Sequence, residues 1–124
     1  MYYGIIETES LENRKILDYF NILKSYGENH PEDEITVWTI NKISVNEENA
    51  LKLMKKLSES ISMGWYSLIW DKDFVYIIFR NKIFKIRNLN PFDFQDFEKV
   101  IKYGASKEIK KIYFDNLRNS IDSF

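Results

Sequence analysis

The chain has 124 residues, of which 44% are hydrophobic, 16% aromatic and 30% charged, a size and composition suited to one globular domain spanning 1–124 with a real core. Its formal charge is −1 and it has no cysteine, which excludes disulfides, thiolate zinc sites, iron–sulfur clusters and cysteine nucleophiles and falls short of the basic footprint of a nucleic-acid binder. No apolar run approaches the ~20 residues needed to cross a bilayer, and the opening MYYGIIETES lacks a basic, then long apolar leader pattern, so a cytoplasmic protein without membrane contact is expected.

In chain order, Tyr2 to Glu7 alternate weakly and suit an opening strand, with Gly4 inside it marking a bulge or a close backbone approach. Leu11, Ile16, Leu17, Phe20 and Leu23 make an incomplete helical stripe, and strand around Tyr19 to Lys24 fits as well. SYGENHPEDE, residues 25–34, reads as a polar acidic loop punctuated by Gly27 and Pro31. Ile35 to Val45 is rich in β-branched residues and reads as a long strand. Asn46 is a suitable N-cap for the helix that follows, with Glu47 and Glu48 where the helix dipole favours acids. Ala50, Leu53, Met54, Leu57 and Ile61 form its apolar face and Gly64 is a natural stop.

Residues 65–87 then read as a three-strand meander, turning at Asp71-Lys72-Asp73 and Arg80-Asn81-Lys82. Asn90-Pro91 opens a second helix with Phe94, Phe97, Val100 and Ile101 on its apolar side, ended by Gly104. The tail has Ile109, Ile112 and Phe114 to bury before it frays in polar residues. This order implies an α+β fold: an antiparallel sheet of about four to six strands with two amphipathic helices packed on one face.

Two-residue loops at Lys72-Asp73 and Arg80-Asn81 fix the faces of the meander. Trp70 then opposes Val75, Leu68 opposes Ile77, Tyr66 opposes Phe79, Ile77 opposes Phe84 and Val75 opposes Ile86. That side is apolar and is assigned to the helices. The other side mixes Trp65, Ile69, Phe74, Tyr76, Ile78 and Ile83 with Arg80, Lys85 and Arg87. Three explanations compete for it: cover by other parts of the chain, an interface with a second copy or a protein partner, and a platform for a ligand or nucleic acid. The third lacks the RNA-recognition strand pattern.

Chemistry-bearing motifs are sparse. The four glycines stand alone and make no phosphate loop. His30 reads as a solvated loop residue, and Glu28, Glu32, Asp33 and Glu34 as a solvated acidic loop. Ser58, Ser60 and Ser62 beside Glu59 read as helix surface and end. The lysines of 107–111 read as an exposed face.

The order of short motifs resembles a family of small prokaryotic and phage proteins. They are YGII at 3–6, ESL at 9–11, VWTI at 37–40, GWY at 64–66, YIIFRNKIFK at 76–85 and YG at 103–104. The family's Gly-Ile-Pro turn after the helix end is replaced here by Glu108-Ile109-Lys110. The resemblance implies one compact domain, brings no activity with it and transfers no catalytic residue. It places weight on Trp65, Tyr66, Phe79, Lys82, Phe84 and Lys85 as a recurring unit of core and turn. Abundant Ile, Lys and Asn (17, 14 and 11) with only 4 Arg fit AT-rich coding in a prokaryote or phage.

The function expected from sequence is that of a non-catalytic interaction or regulatory protein, acting through the mixed aromatic and basic face or by self-association. The alternative is a protein binding a small anionic, nucleotide-type ligand. In both, Trp65, Phe74, Tyr76, Arg80, Lys85 and Arg87 are the candidate contacts, with no cofactor, metal or catalytic residue assigned and nucleic acid disfavoured.

Overall fold

The computed structural model describes all of residues 1–124. Its strands are β1 (Tyr2–Glu7), β2 (Asn21–Asn29), β3 (Val37–Val45), β4 (Ser67–Trp70), β5 (Phe74–Phe79) and β6 (Lys82–Arg87). They form one antiparallel sheet in the order β2-β3-β1-β4-β5-β6. The helices are α1 (Glu47–Ser60), α2 (Phe94–Ser106), α3 (Ile112–Asp115) and α4 (Leu117–Asp122). The architecture is the α+β fold expected, and no helix is long and apolar enough to cross a membrane.

The meander has the expected register: Trp70 pairs with Val75, Leu68 with Ile77, Val75 with Ile86 and Ile77 with Phe84. Turn chemistry explains it. Asp71 Oδ1 accepts from the N–H groups of Asp73 and Phe74 at 2.9 and 2.8 Å, and Asn81 takes the left-handed conformation, φ 55°.

The helices do not share one face. Leu53, Met54 and Leu57 of α1 pack on Ile6, Ile43, Ile69, Tyr76 and Ile78. Val100 of α2, Phe114 of α3 and Leu117 and Ile121 of α4 pack on Leu68, Trp70, Val75, Ile77, Phe79 and Ile86. The physical reason lies in the meander itself: with branched or aromatic residues on both sides, each side needs its own cover. The mixed face is therefore under α1, and the expected helix face is shared by α2 and the tail. That tail does not fray. Leu117 and Ile121 are buried, and the Phe124 ring stands edge-on to Trp70 at 5.0 Å.

Local punctuation also moved. Arg14–Tyr19 is a 3-10 helix, and the stretch expected as loop from Ser25 onward is strand as far as Asn29. Asn46 caps α1 through its side chain, as expected, but α1 stops at Ser60 and Gly64 serves a later turn at φ +89°. Asp93, not Asn90, caps α2. Gly104 lies inside α2 because Phe114 packs where its side chain would be, with a Cβ there meeting the ring at 2.5 Å.

Candidate functional site

The six residues proposed from sequence do not form one site. Tyr76 is buried beneath α1, and the Lys85 ammonium sits 4.1 Å from the centre of the Phe74 ring beside it. Arg80 pairs with Glu12 and donates to the Ile61 carbonyl at 3.2 Å. Arg87 is exposed near Asp93. Trp65 lies apart from all of these, against Trp38 at 4.8 Å between ring centres.

Trp65 opens instead into a cleft of about 570 Å³, within the range of small-molecule sites. Its sheet-side lining comes from β1, β3 and β2, which contribute Glu7, Trp38 and Glu28. Trp65 and Tyr66, just before β4, extend it, and the segment from Glu108 to Asn116 forms the opposite wall with Lys110 and Tyr113. The loop after β2 closes one end with His30, Asp33 and Glu34.

Strand alternation places these groups. Ile5 packs in the core under α2 and the tail, so Glu7, two residues on, points to the same side. Its Cα partner is Ile40 of β3. Trp38 is two residues from Ile40 and opposite Glu28 of β2.

The rings are locked. Tyr66 Oη donates to the Tyr113 carbonyl, and the Tyr66 ring stacks on Phe114 at 4.8 Å and 13°. Tyr113 Oη donates to Asp33 Oδ1, and with that acceptor and burial its hydroxyl is pushed up to about 12. Burial also raises the Tyr66 hydroxyl strongly, with the Glu7 charge adding to it. Trp38 Nε1 donates to the Ile35 carbonyl at 2.9 Å.

His30 is not a solvated loop residue. Its ring stacks on Trp38 at 3.5 Å and 17°, its Nε2 lies 2.6 Å from Glu28 Oε1 and its Nδ1 3.5 Å from Asp33 Oδ2. Three of the acids expected as a solvated loop, Glu28, Asp33 and Glu34, line the cavity with it.

Glu7 is the unusual group. The residue is half-buried, yet its Oε2 is sealed from solvent and has no hydrogen-bond partner. Burial pushes the carboxyl up to about 8, its own backbone N–H opposes that, and the charges of Glu28 and Glu9 add to it. Set among aromatic rings and further acids, this carboxyl holds its proton to higher pH than an exposed glutamate.

No protein-family model, curated protein or solved structure matches the chain. The resemblance noted in the sequence therefore gains no independent support, and the site rests on its own geometry. Sequence reading missed Glu7 because it looked like an ordinary polar position at a strand end. Trp38 and His30 were missed as partners because the loop between them hides that β2 and β3 form a hairpin. The available signal was the pairing of GEN at 27–29 with VWT at 37–39 across the connection of residues 30–36.

Ser58 also departs from its surface assignment. It is buried, and its hydroxyl donates to the Phe79 carbonyl at 2.6 Å.

Proposed function

We propose that this is a non-catalytic binding protein whose cavity takes an organic cation. The cation is a primary or quaternary ammonium or a guanidinium, carried by a small amine or by a basic side chain of a protein partner. The observation that carries this reading is the partnerless, sealed Glu7 oxygen in a pocket walled by Trp38, Trp65, Tyr66 and Tyr113. Aromatic faces attract cations through their quadrupoles, and a cation seated beside Glu7 favours loss of its proton, so that the resulting carboxylate meets it. The lining acids Glu7, Glu28, Asp33, Glu34 and Glu108 outnumber the single lysine, Lys110, which favours a cation over a nucleotide-type anion. His30 supports binding over turnover, since both ring nitrogens face carboxylates and the ring is stacked on Trp38, making it a wall and not a free base.

The test is calorimetric titration with tetramethylammonium, butylguanidinium, lysine amide and AMP. The cations are expected to bind and AMP not to bind, with Trp38→Ala and Glu7→Gln each weakening the best cation by about tenfold or more. Lysine amide bound better than tetramethylammonium would point to a protein side chain, and the reverse to a methylated amine. Preference for AMP, or cation affinity unchanged in Glu7→Gln, would overturn the proposal.

A further inference from the structure

The second feature lies at the edge of the sheet and shares one residue, Glu28, with the cavity. β2 is an outer strand of nine residues, and every one of them is exposed. Typical strands run to about five or six residues, and long edges are normally blunted by proline, by charge or by cover. β2 contains no proline, is bulged only between Ile22 and Lys24, carries two charges, Lys24 and Glu28, and exposes Ile22, Leu23 and Tyr26 by 44, 51 and 37%. Such an edge is a template for another strand.

The direction of its free backbone groups follows from the hairpin. The His30 N–H donates to the Thr36 carbonyl at 2.7 Å, and inward-directed pairs recur at every second residue of an antiparallel ladder. Glu28, Tyr26 and Lys24, opposite Trp38, Ile40 and Lys42, thus turn their backbone groups towards β3. Ser25, Gly27 and Asn29 turn theirs outward, where nothing in this chain meets them.

We infer that β2 pairs antiparallel with β2 of a second copy, about a two-fold axis through Tyr26. In that register Ser25 faces Gly27 of the second copy, and the two residues exchange reciprocal N–H to carbonyl hydrogen bonds on both sides of the axis. Tyr26 faces its own equivalent. Lys24 faces Glu28 of the second copy, and the symmetry repeats this ammonium–carboxylate pair. Directly opposed side chains lie on one face of the joined sheet, within reach of each other.

The charges select this register. Moving the axis to Ser25 sets Lys24 against Tyr26 and Ile22 against Glu28. Moving it to Gly27 sets Tyr26 against Glu28 and Lys24 against His30. Both alternatives keep the outward backbone groups paired, but neither matches a base with an acid. Lys24 and Lys42 both lie near the Tyr26 ring, at 5.6 and 5.9 Å from its centre, which sets two ammonium groups beside the place of the incoming Glu28. A self-complementary patch of this kind is what an isologous two-fold contact requires. The result is a continuous sheet of twelve strands with both edges of β2 satisfied.

Sedimentation velocity across a concentration series, with light scattering, tests it. The unmodified chain is expected to be a dimer whose dissociation is measurable between micromolar and millimolar concentrations. Gly27→Pro removes an outward donor without touching the ladder to β3, and a Cβ at that position meets only Val37, at an ordinary 3.6 Å. It is expected to be monomeric, with the thermal midpoint that the unmodified chain shows at concentrations where it is dissociated. Lys24→Glu sets two acids against each other and is expected to weaken the dimer about tenfold or more, and Lys24→Glu with Glu28→Lys is expected to restore it. The charge pair keeps the test decisive should Gly27→Pro fold poorly. A monomer at about millimolar concentration, a dimer indifferent to both Gly27→Pro and Lys24→Glu, or failure of the double exchange to restore what Lys24→Glu loses would each overturn the inference. Loss of cation binding in the calorimetric experiment would leave it standing.

Discussion

Replacing Glu7 by Gln should stabilise the protein in alkaline solution and leave it nearly unchanged in acid. The carboxyl titrates near 4.5 when exposed and at about 8 in the fold. As pH rises past the lower value, the unfolded chain loses this proton while the folded chain keeps it. The folded state then holds the extra proton, so stability falls with pH until the folded group also ionises near 8. Each tenfold in proton affinity is worth somewhat over 1 kcal/mol, which makes the full displacement about 5 kcal/mol. Because the residue keeps some contact with solvent, water reaching the ionised group should reduce this to about 2–4 kcal/mol.

Glutamine has the shape of a protonated glutamate and no charge. The difference between variant and parent should therefore be small at pH 5 and grow to that magnitude at pH 9. Urea denaturation at intervals between those values, followed by fluorescence of Trp38 and Trp65, measures it without adding salt. The groups facing Glu7 are Glu28 on β2, Glu9 in the turn after β1, and the Tyr66 and Tyr26 hydroxyls. The same neighbours are present in parent and variant, so the difference reports the Glu7 carboxyl. A gap that stays flat from pH 5 to 9 would show that the carboxyl is not held protonated, and the case for a missing cation would fall with it. A saturating organic cation at pH 9 should narrow the gap, because it stabilises the parent by mass action and the variant much less.

Two further substitutions test how the site is held. Gly104→Ala should cost about 2 kcal/mol in chemical denaturation despite alanine's better helix propensity, since the new methyl meets the Phe114 ring at 2.5 Å and that ring is fully buried; an unchanged midpoint would mean that Phe114 can shift. Ser58→Ala should cost about 1–2 kcal/mol by the same measurement, because it removes the donor to the Phe79 carbonyl inside the core, and a neutral result would return Ser58 to the surface role its sequence setting suggested.

What could be read from the sequence was local. The turn residues Asp71 and Asn81 set the meander register, and Asn46 marked the start of α1, because each acts through its own side chain or backbone on neighbours a few residues away. The face that α1 covers was not legible. Its stripe of Leu53, Met54 and Leu57 fits either side of a sheet that is apolar on both, and the choice depends on where the chain crosses over between β3 and β4. β2 was obscured for a related reason. All nine of its residues are exposed, so no hydrophobic alternation marks it, and its existence depends on pairing with β3. The site inherits both difficulties, since Glu7, Trp38 and His30 meet only once β1, β3 and β2 lie side by side.

The cavity and the open edge have a common geometric origin. Adjacent strands lie about 4.8 Å apart, so six of them present a face about 24 Å across. A packed helix covers about 10 Å. On the side of α2, Tyr103 packs on Phe79 and Phe84 at 4.9 and 5.4 Å, placing that helix over β5 and β6. The tail follows: Phe114 lies on Tyr66 before β4, and Phe124 reaches Trp70 of β4 and Tyr3 of β1. Two helical widths are then spent, and β2, the last strand, is left exposed along its whole length. At the step where cover ends, the segment from Glu108 to Asn116 overhangs the sheet and leaves the space that Glu7, Trp38 and Glu28 line. Beyond it, β2 is bare on both sides. A shorter sheet would have sealed Glu7 under the tail and left no edge of nine exposed residues. The β2–β3 hairpin is thus what converts a closed two-sided core into a molecule with a site and an edge to offer.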